Sequence, residues 1–292
     1  MQLRIFAFCS MFYVPCFMYI GCHVSIAGGV FKAPERAAEL GAEAMQIFTR
    51  SPQGGKAPEL TPEIISEFNL KAKSYQLKAV FVHTPYYINF ASENSRIRYG
   101  SISVLRDELE RASLLGAKYI MTHLGSAGQL PEKEANEKTI EALKNSLEGY
   151  TGSTELLIEN AAGAGKIMGA TFAQIAEIIK AVNHPKLVGV CLDTQHSFAS
   201  GYDWRDFENT LQKIDSEIGL DKIKLIHAND SKTELASNKD RHEHIGKGLI
   251  GQEAFKNIVA FAQAKNITMI LETPHELVKE DIELLKSLRN SI

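Results

Sequence analysis

"LVGVCLD", residues 187–193, is the stretch on which the fold turns. Its apolar residues run on without the alternation of a strand that has one wet face, and the run stops on a carboxylate. Unbroken hydrophobicity over so short a length suits a strand buried on both faces, as in a parallel sheet. Seven other stretches have the same form: MYIGCHV (18–24), EAMQIFT (43–49), AVFVH (79–83), KYIMTH (118–123), ELLIE (155–159), IKLIHA (223–228) and TMILE (268–272). Between them lie helical patterns with apolar residues three and four apart: PEIISEFNLKAKSYQ after Thr61, SVLRDELERASLLG ending at Gly116, TFAQIAEIIKAV after Gly169 and HELVKEDIELLKSLRN at the end. Thr61 with Pro62 and Glu63 is a helix start, and Gly116 a helix stop. Eight strand-helix units in 292 residues match the (β/α)8 barrel, typically about 250 residues long. A doubly wound open sheet is the alternative, because both folds are built from the same right-handed βαβ unit.

Composition bounds the function. Hydrophobic residues make up 45% and charged residues 23%, so the chain is expected to be globular, with one large core. A net charge of −3 advertises no polyanion partner, and any nucleic-acid surface must find its positive charge locally. The cysteines, Cys9, Cys16, Cys22 and Cys191, lack C-x-x-C spacing and read as neither a disulfide framework nor a thiolate zinc site, which fits a reducing cytoplasm. Residues 1–17 have the outline of a signal peptide. The preferred reading is a dispensable extension from an upstream start, because Met18 already opens the first strand and no A-x-A-like site follows. Residues 18–292 then form a single catalytic barrel. No apolar run approaches the ~20 residues of a membrane span, and a cytoplasmic location is expected.

Each predicted strand ends in a residue that does not belong in a core. His83, His123, Glu159, Asp193 and Glu272 close the third, fourth, fifth, sixth and eighth strands; His227 lies one residue from the end of the seventh, and His23 near the end of the first. They recur about once per βα unit. Because all strand C-termini of a barrel open on one face, residues a whole unit apart converge there into a ring. One such histidine is more often structural than a ligand. Three imidazoles and three carboxylates at one mouth are costly to bury unless a cation gathers them. Histidine and carboxylate donors without cysteine suit zinc, with manganese or iron as options, and so many donors imply two or more ions. Multinuclear sites of this kind suit in-line displacement at phosphate.

Two further pieces lie in loops above the same face. "DTQH" adds His196, and "SNKDRHEHIGKG" (237–248) adds Asp240 and His242. Taken alone, the second stretch reads as a solvated loop. With His196, Asp240 and His242 could form a separate three-donor site.

These motifs resemble the endonuclease IV family of apurinic/apyrimidinic endonucleases from Met18 onward. The likeness rests on "YIGCHVSIAGG", "VHTPYYIN", "THLGS", "LIENAAGAG", "GVCLDTQHSFASGYD", "IHANDSKTELASNKDRHEHIGKG" and "ILETP". The resemblance implies a (β/α)8 barrel with three zinc ions that cleaves double-stranded DNA 5′ to an abasic site in base excision repair, leaving a 3′-hydroxyl and a 5′-deoxyribose phosphate, and that acts as a monomer. It implies that His83, His123 and Glu159 hold one ion and that Glu159 bridges to a second, held also by Asp193, His227 and Glu272. His196, Asp240 and His242 would hold the third. Glu159 and Glu272 would serve catalysis, and Tyr86 matches a family tyrosine that inserts into the DNA; Tyr87 follows it, and Arg241, between two of the donors, could face the phosphate backbone. Three divalent ions would also take the formal charge from −3 to +3, with the gain confined to the groove.

The departures are Gln195 for the usual Cys of "DTCH" and Ala236 for a usual Gly. In "TRSPQGGKAP" the family's inserting Arg has no secure counterpart, Arg50 and Lys56 being the candidates. Glu243 and His244 read as solvated, His184 as a surface residue and His275 as a loop residue beside the site. A xylose-isomerase-like sugar isomerase or epimerase is the rival function. It would use Glu159, Asp193, His227 and Glu272 but leave the other histidines without work.

Overall fold

The computed structural model describes residues 18–292; the expected extension, residues 1–17, lies outside the described residues. The eight expected strands all form: β1 (Ile20–His23), β2 (Ala44–Ile47), β3 (Ala79–His83), β4 (Tyr119–Thr122), β5 (Glu155–Glu159), β6 (Leu187–Asp193), β7 (Ile223–His227) and β10 (Thr268–Leu271). They pair in parallel into a closed barrel, β10 returning to β1, which settles the fold against an open sheet. A short antiparallel hairpin, β8 (Asp230–Ser231) with β9 (His242–Glu243), is inserted after β7. His227 is the last residue of β7, not the last but one. His123 and Glu272 each follow directly on their strand.

The helices are α1 (Ala33–Glu39), α2 (Pro62–Ser74), α3 (Ser95–Leu114), α4 (Glu132–Leu147), α5 (Phe172–Val182), α6 (Thr194–Ala199), α7 (Phe207–Glu217), α8 (Gln252–Lys265) and α9 (Val278–Asn290). Thr61 caps α2 as expected, its hydroxyl accepting from the Ile64 N–H, and Thr171 caps α5 in the same way. α3 begins well before the apolar pattern suggested, because the Asn94 side chain accepts the Arg96 and Ile97 N–H groups. That cap carries the helix through its polar first turns.

Two cores flank the sheet. The larger lies between strands and helices. The smaller fills the barrel with Ala44, Phe81, Tyr119, Met121, Leu157, Cys191, Leu225 and Ile270. Strand side chains alternate in and out. Two residues beyond Ala44, Phe81, Met121, Leu157, Cys191, Leu225 and Ile270, the next inward positions are Gln46, His83, His123, Glu159, Asp193, His227 and Glu272. The polar ring is therefore the layer immediately above an apolar plug. At the opposite end, the Arg289 guanidinium on α9 donates to both oxygens of Glu43 (2.7 and 2.9 Å) and to the Met18 carbonyl, tying the last helix to the first strand.

β1 and β2 approach so closely at Gly21 that a Cβ there would lie 1.9 Å from the Ala44 carbonyl oxygen. Gly21→Ala must push two hydrogen-bonded strands apart directly under the site. We expect a loss of about 1–3 kcal/mol, read as a lower denaturant midpoint; an unchanged midpoint would show that the barrel gives way freely here.

Candidate metal centre

All nine expected donors converge at the C-terminal mouth of the barrel. In two groups the donor atoms lie within 4.8 Å of one another as expected: His83, His123 and Glu159; and Glu159, Asp193, His227 and Glu272. The third group differs in one member, since Asp193 joins His196 and His242. Asp240 is there too, at the exposed rim, with its oxygens 3.3 Å from the Nε2 atoms of both His196 and His242. Asp193 thus faces two groups, a role the sequence reading had given to Glu159 alone.

Glu159 is fully buried at the junction. Its Oε2 lies 2.8 Å from His83 Nε2 and 3.4 Å from His123 Nε2, and its Oε1 lies 2.9 Å from His227 Nδ1 and 3.5 Å from His196 Nδ1. Burial alone would raise its pKa, but His123, His227 and His196 hold it well below the ordinary carboxylate range. The partners move the opposite way. Burial draws His227 down, yet the Glu272 and Glu159 carboxylates lift it well above its ordinary value; for His196, Asp193 and Asp240 outweigh burial. His83 is also raised, by Glu159 against burial, whereas burial lowers His123. Glu272 is lowered, its desolvation outweighed by His227 and other imidazoles. His23, beside Glu272, is pressed down by burial to about 4 and is neutral.

Three features suit divalent cations. His123 Nδ1 is buried with no hydrogen-bond partner among the described residues. His196 and His242 turn their Nε2 atoms toward each other, 3.4 Å apart, with Asp240 beside both. The donors are nitrogen and oxygen only, the set that zinc accepts in catalytic sites. Both described cysteines are buried thiols pushed up to about 12, so neither offers a thiolate.

The loop donors depend on anchors that the sequence reading missed. Asp193 caps α6 through the His196 N–H (2.7 Å) and accepts from Asn229 Nδ2 (2.7 Å), fixing the start of the helix that carries His196. The buried Asp230 carboxylate gathers the N–H groups of Ser231, Gly246, Gly248, Ile250 and Gly251. Gln46, buried between His23, His227 and Glu272, was also passed over.

Several expectations are corrected. His244 is not solvated: it is buried, its Nδ1 2.7 Å from Asp281 Oδ2 on α9, and Glu243 is half-buried. Arg50 is not free to enter DNA, being buried in ion pairs with Glu108 and Asp107, while Lys56 stands exposed on the loop. Ala236 adopts φ +57°, the left-handed region where a Gly would sit without strain. Gln195 donates to the Lys239 carbonyl (2.9 Å), holding the loop above α6. Tyr86 is 70% exposed and packs edge-on against Phe48 (centroids 5.2 Å apart), which itself packs on His83; Tyr87 lies beside it, 38% exposed. Arg241 is exposed, and His275 lies exposed after the last barrel strand.

Replacing His244 with Phe leaves Asp281 short of a donor in a buried place, with an expected loss of about 1–3 kcal/mol on chemical unfolding. An unchanged stability would return His244 to the solvated face. The metal-free chain should also respond to pH on both sides. Raised imidazoles stabilise the fold below their unfolded pKa of ~6.5, an effect lost as pH rises through their higher folded values. The depressed Glu159 and Glu272 stabilise it above the unfolded carboxylate pKa of ~4.3, an effect lost on acidification through their lower folded values. Metal affinity should fall as pH falls, since protons on His83, His196 and His227 must be displaced. Chelator competition between pH 5 and 8 measures this, and a flat profile would contradict it.

Residues 34–288 match the family model described as a xylose isomerase-like TIM barrel. The chain is 40% identical over 276 residues to a probable endonuclease 4 of Halothermothrix orenii, covering 93% of this chain and 99% of that one. The crystal structure of endonuclease IV from Thermus thermophilus superposes with a TM-score of 0.84 at 32% identity, covering 94% of this chain and 100% of that one. A D-tagatose 3-epimerase-like protein shares the fold at TM-score 0.69 and 22% identity, covering 94% of this chain and 99% of that one. The chain belongs to the endonuclease IV family of xylose isomerase-like TIM barrels.

Proposed function

We propose that this DNA endonuclease is a three-zinc apurinic/apyrimidinic enzyme, acting as a monomer, that hydrolyses the phosphodiester 5′ to an abasic site and leaves a 3′-hydroxyl and a 5′-deoxyribose phosphate. The observation that carries the reading is the loop-borne group, His196, Asp240 and His242, set beside the strand-end groups that share Glu159. A sugar-transforming barrel needs only the strand-end carboxylates and one histidine. This chain adds four further imidazoles and a rim carboxylate around them.

In this proposal His83, His123 and Glu159 hold one ion, Glu159, Asp193, His227 and Glu272 a second, and His196, Asp240 and His242 a third. Zinc bound there supplies Lewis-acid chemistry, lowering the pKa of water and offsetting the charge of the phosphate. Glu159 can serve two groups at once because its oxygens already face different imidazole pairs. Glu272, ionised and partly open to the mouth, accepts a hydrogen bond from the attacking water and orients it toward phosphorus, opposite the departing 3′-oxygen. Tyr86 stands beside His83, with Tyr87 next to it in the chain, as rings against which the opened duplex can pack, and Arg241, exposed next to Asp240, reaches the backbone phosphates. Turning the damaged nucleotide out of the stack costs least where a base is missing, which favours abasic sites.

Glu272→Gln keeps the side chain's shape and removes its charge. Incision of a synthetic abasic duplex should fall at least about 100-fold, while binding of that duplex in a gel-shift assay changes little. Normal incision by the variant, or full activity of the wild type after exhaustive chelation, would refute the assignment.

A further inference from the structure

We propose that Gln46 is a positioning residue of this centre, a buried amide that decides which ring nitrogen of His227 faces the metal and which oxygen of Glu272 turns inward. The proposal rests on the zinc reading above and deepens it.

The hydrogen-bond chain has one consistent polarity. Gln46, fully buried on β2, places its Nε2 2.6 Å from Glu272 Oε1. An ionised carboxylate only accepts, so the amide nitrogen must be the atom facing it. The amide oxygen then faces His227 Nε2 at 2.7 Å, and because that oxygen only accepts, His227 must carry a proton on Nε2. The ring's other nitrogen, Nδ1, is left pointing at Glu159 Oε1 (2.9 Å) and Glu272 Oε2 (3.2 Å), the place where a cation shared with those carboxylates belongs. The second amide hydrogen reaches His23 Nδ1 at 3.0 Å. All three of these contacts tie the side chain to the ring of polar residues.

The other imidazoles are set the opposite way round. His83, His196 and His242 place Nδ1 on the carbonyls of Thr84, Asn160 and Glu272, at 2.6, 3.0 and 3.3 Å, which turns their Nε2 atoms toward the carboxylates. Backbone carbonyls fix those three tautomers. His196 Nδ1 also lies 3.5 Å from Glu159 Oε1, but the Asn160 carbonyl holds it; His227 alone among these four has an Nδ1 that faces only carboxylates, and the group that requires it is a side chain, Gln46. A side chain can be replaced, so this tautomer is open to test. A partner that fixes a ligand's tautomer is commonly worth about 10–100-fold in metal affinity.

The test uses the full chain, wild type, Gln46→Met and Gln46→Glu, each loaded with zinc. Histidine-labelled 15N NMR reads the protonated nitrogen of His227, and zinc content is measured after equilibration with graded chelator. The wild type should show the proton on Nε2. Gln46→Met conserves shape but removes both polar ends; one zinc should be released at about 10–100-fold lower chelator concentration, the others unchanged, with His227 no longer held to one tautomer. Gln46→Glu still accepts from His227 Nε2–H but sets an oxygen against Glu272. It should keep the tautomer while still weakening that one zinc. A filler role predicts the reverse order, with Met harmless. A wild-type His227 protonated on Nδ1, or a Gln46→Met chain that retains zinc like the wild type, would overturn the proposal. A wild type that retains no zinc would instead overturn the metal reading beneath it.

Discussion

A carboxylate with no access to water is the constraint around which this mouth is organised. Glu159 is fully buried at the end of β5 and ionised, and isolating such a charge costs several kcal/mol even after relaxation. Four imidazoles within 3.5 Å compensate it, drawn from β3, the end of β4, α6 and β7. Elements far apart in sequence are thus held to one point, and their own protonation is lifted where carboxylates outweigh burial, as at His83, His196 and His227, and lowered where burial wins, as at His123. The same geometry that makes protons bind tightly makes the place ready for divalent ions, because both answer one excess of buried negative charge.

Much of this was legible in the sequence because a parallel strand announces itself twice, by unbroken hydrophobicity and by the residue that breaks it. "LVGVCLD" ends where β6 ends, and Asp193 faces the mouth for the same reason that Cys191 fills the plug: they are two residues apart. What was not legible follows from the same physics. Gln46 is two residues past Ala44 and obeys the rule, but it lies inside EAMQIFT and is uncharged, so it reads as an interruption of a core strand. Its position in the alternation was the available signal. His244 was misread because nothing local distinguishes a solvated imidazole from a buried one; its partner Asp281 lies on α9, at the far end of the chain. Arg50 was likewise drawn inward by Asp107 and Glu108 on α3, a contact that only the closed barrel creates.

Fold and chemistry separate cleanly in this molecule. The barrel, shared with an epimerase-like protein at 22% identity, delivers a ring of strand-end groups and would do so for many reactions. The third group is not a product of the barrel. His196 comes from the first turn of α6, and Asp240 and His242 from the insertion that forms β8 and β9. Ordering a loop residue costs conformational entropy as it does in a strand, without a sheet ladder's hydrogen bonds to offset it, so loop donors need anchors.

Those anchors lie away from the donors themselves. Asp230 collects the N–H groups of the returning chain, His244 and the Ile245 N–H bind Asp281, and Gln195 holds Lys239 from below. His242 therefore sits between two fixed points, β8 on one side and α9 on the other, and its Nδ1 reaches the carbonyl of Glu272, itself a member of the second group. The loop group and the strand-end groups are coupled through that contact, through His196, whose Nδ1 lies 3.5 Å from Glu159 Oε1, and through Asp193, which caps α6 with one oxygen and faces His242 with the other at 3.7 Å. The insertion is tied to the barrel rim on both sides of His242, and its two donors, Asp240 and His242, meet His196 of α6 at 3.3–3.4 Å.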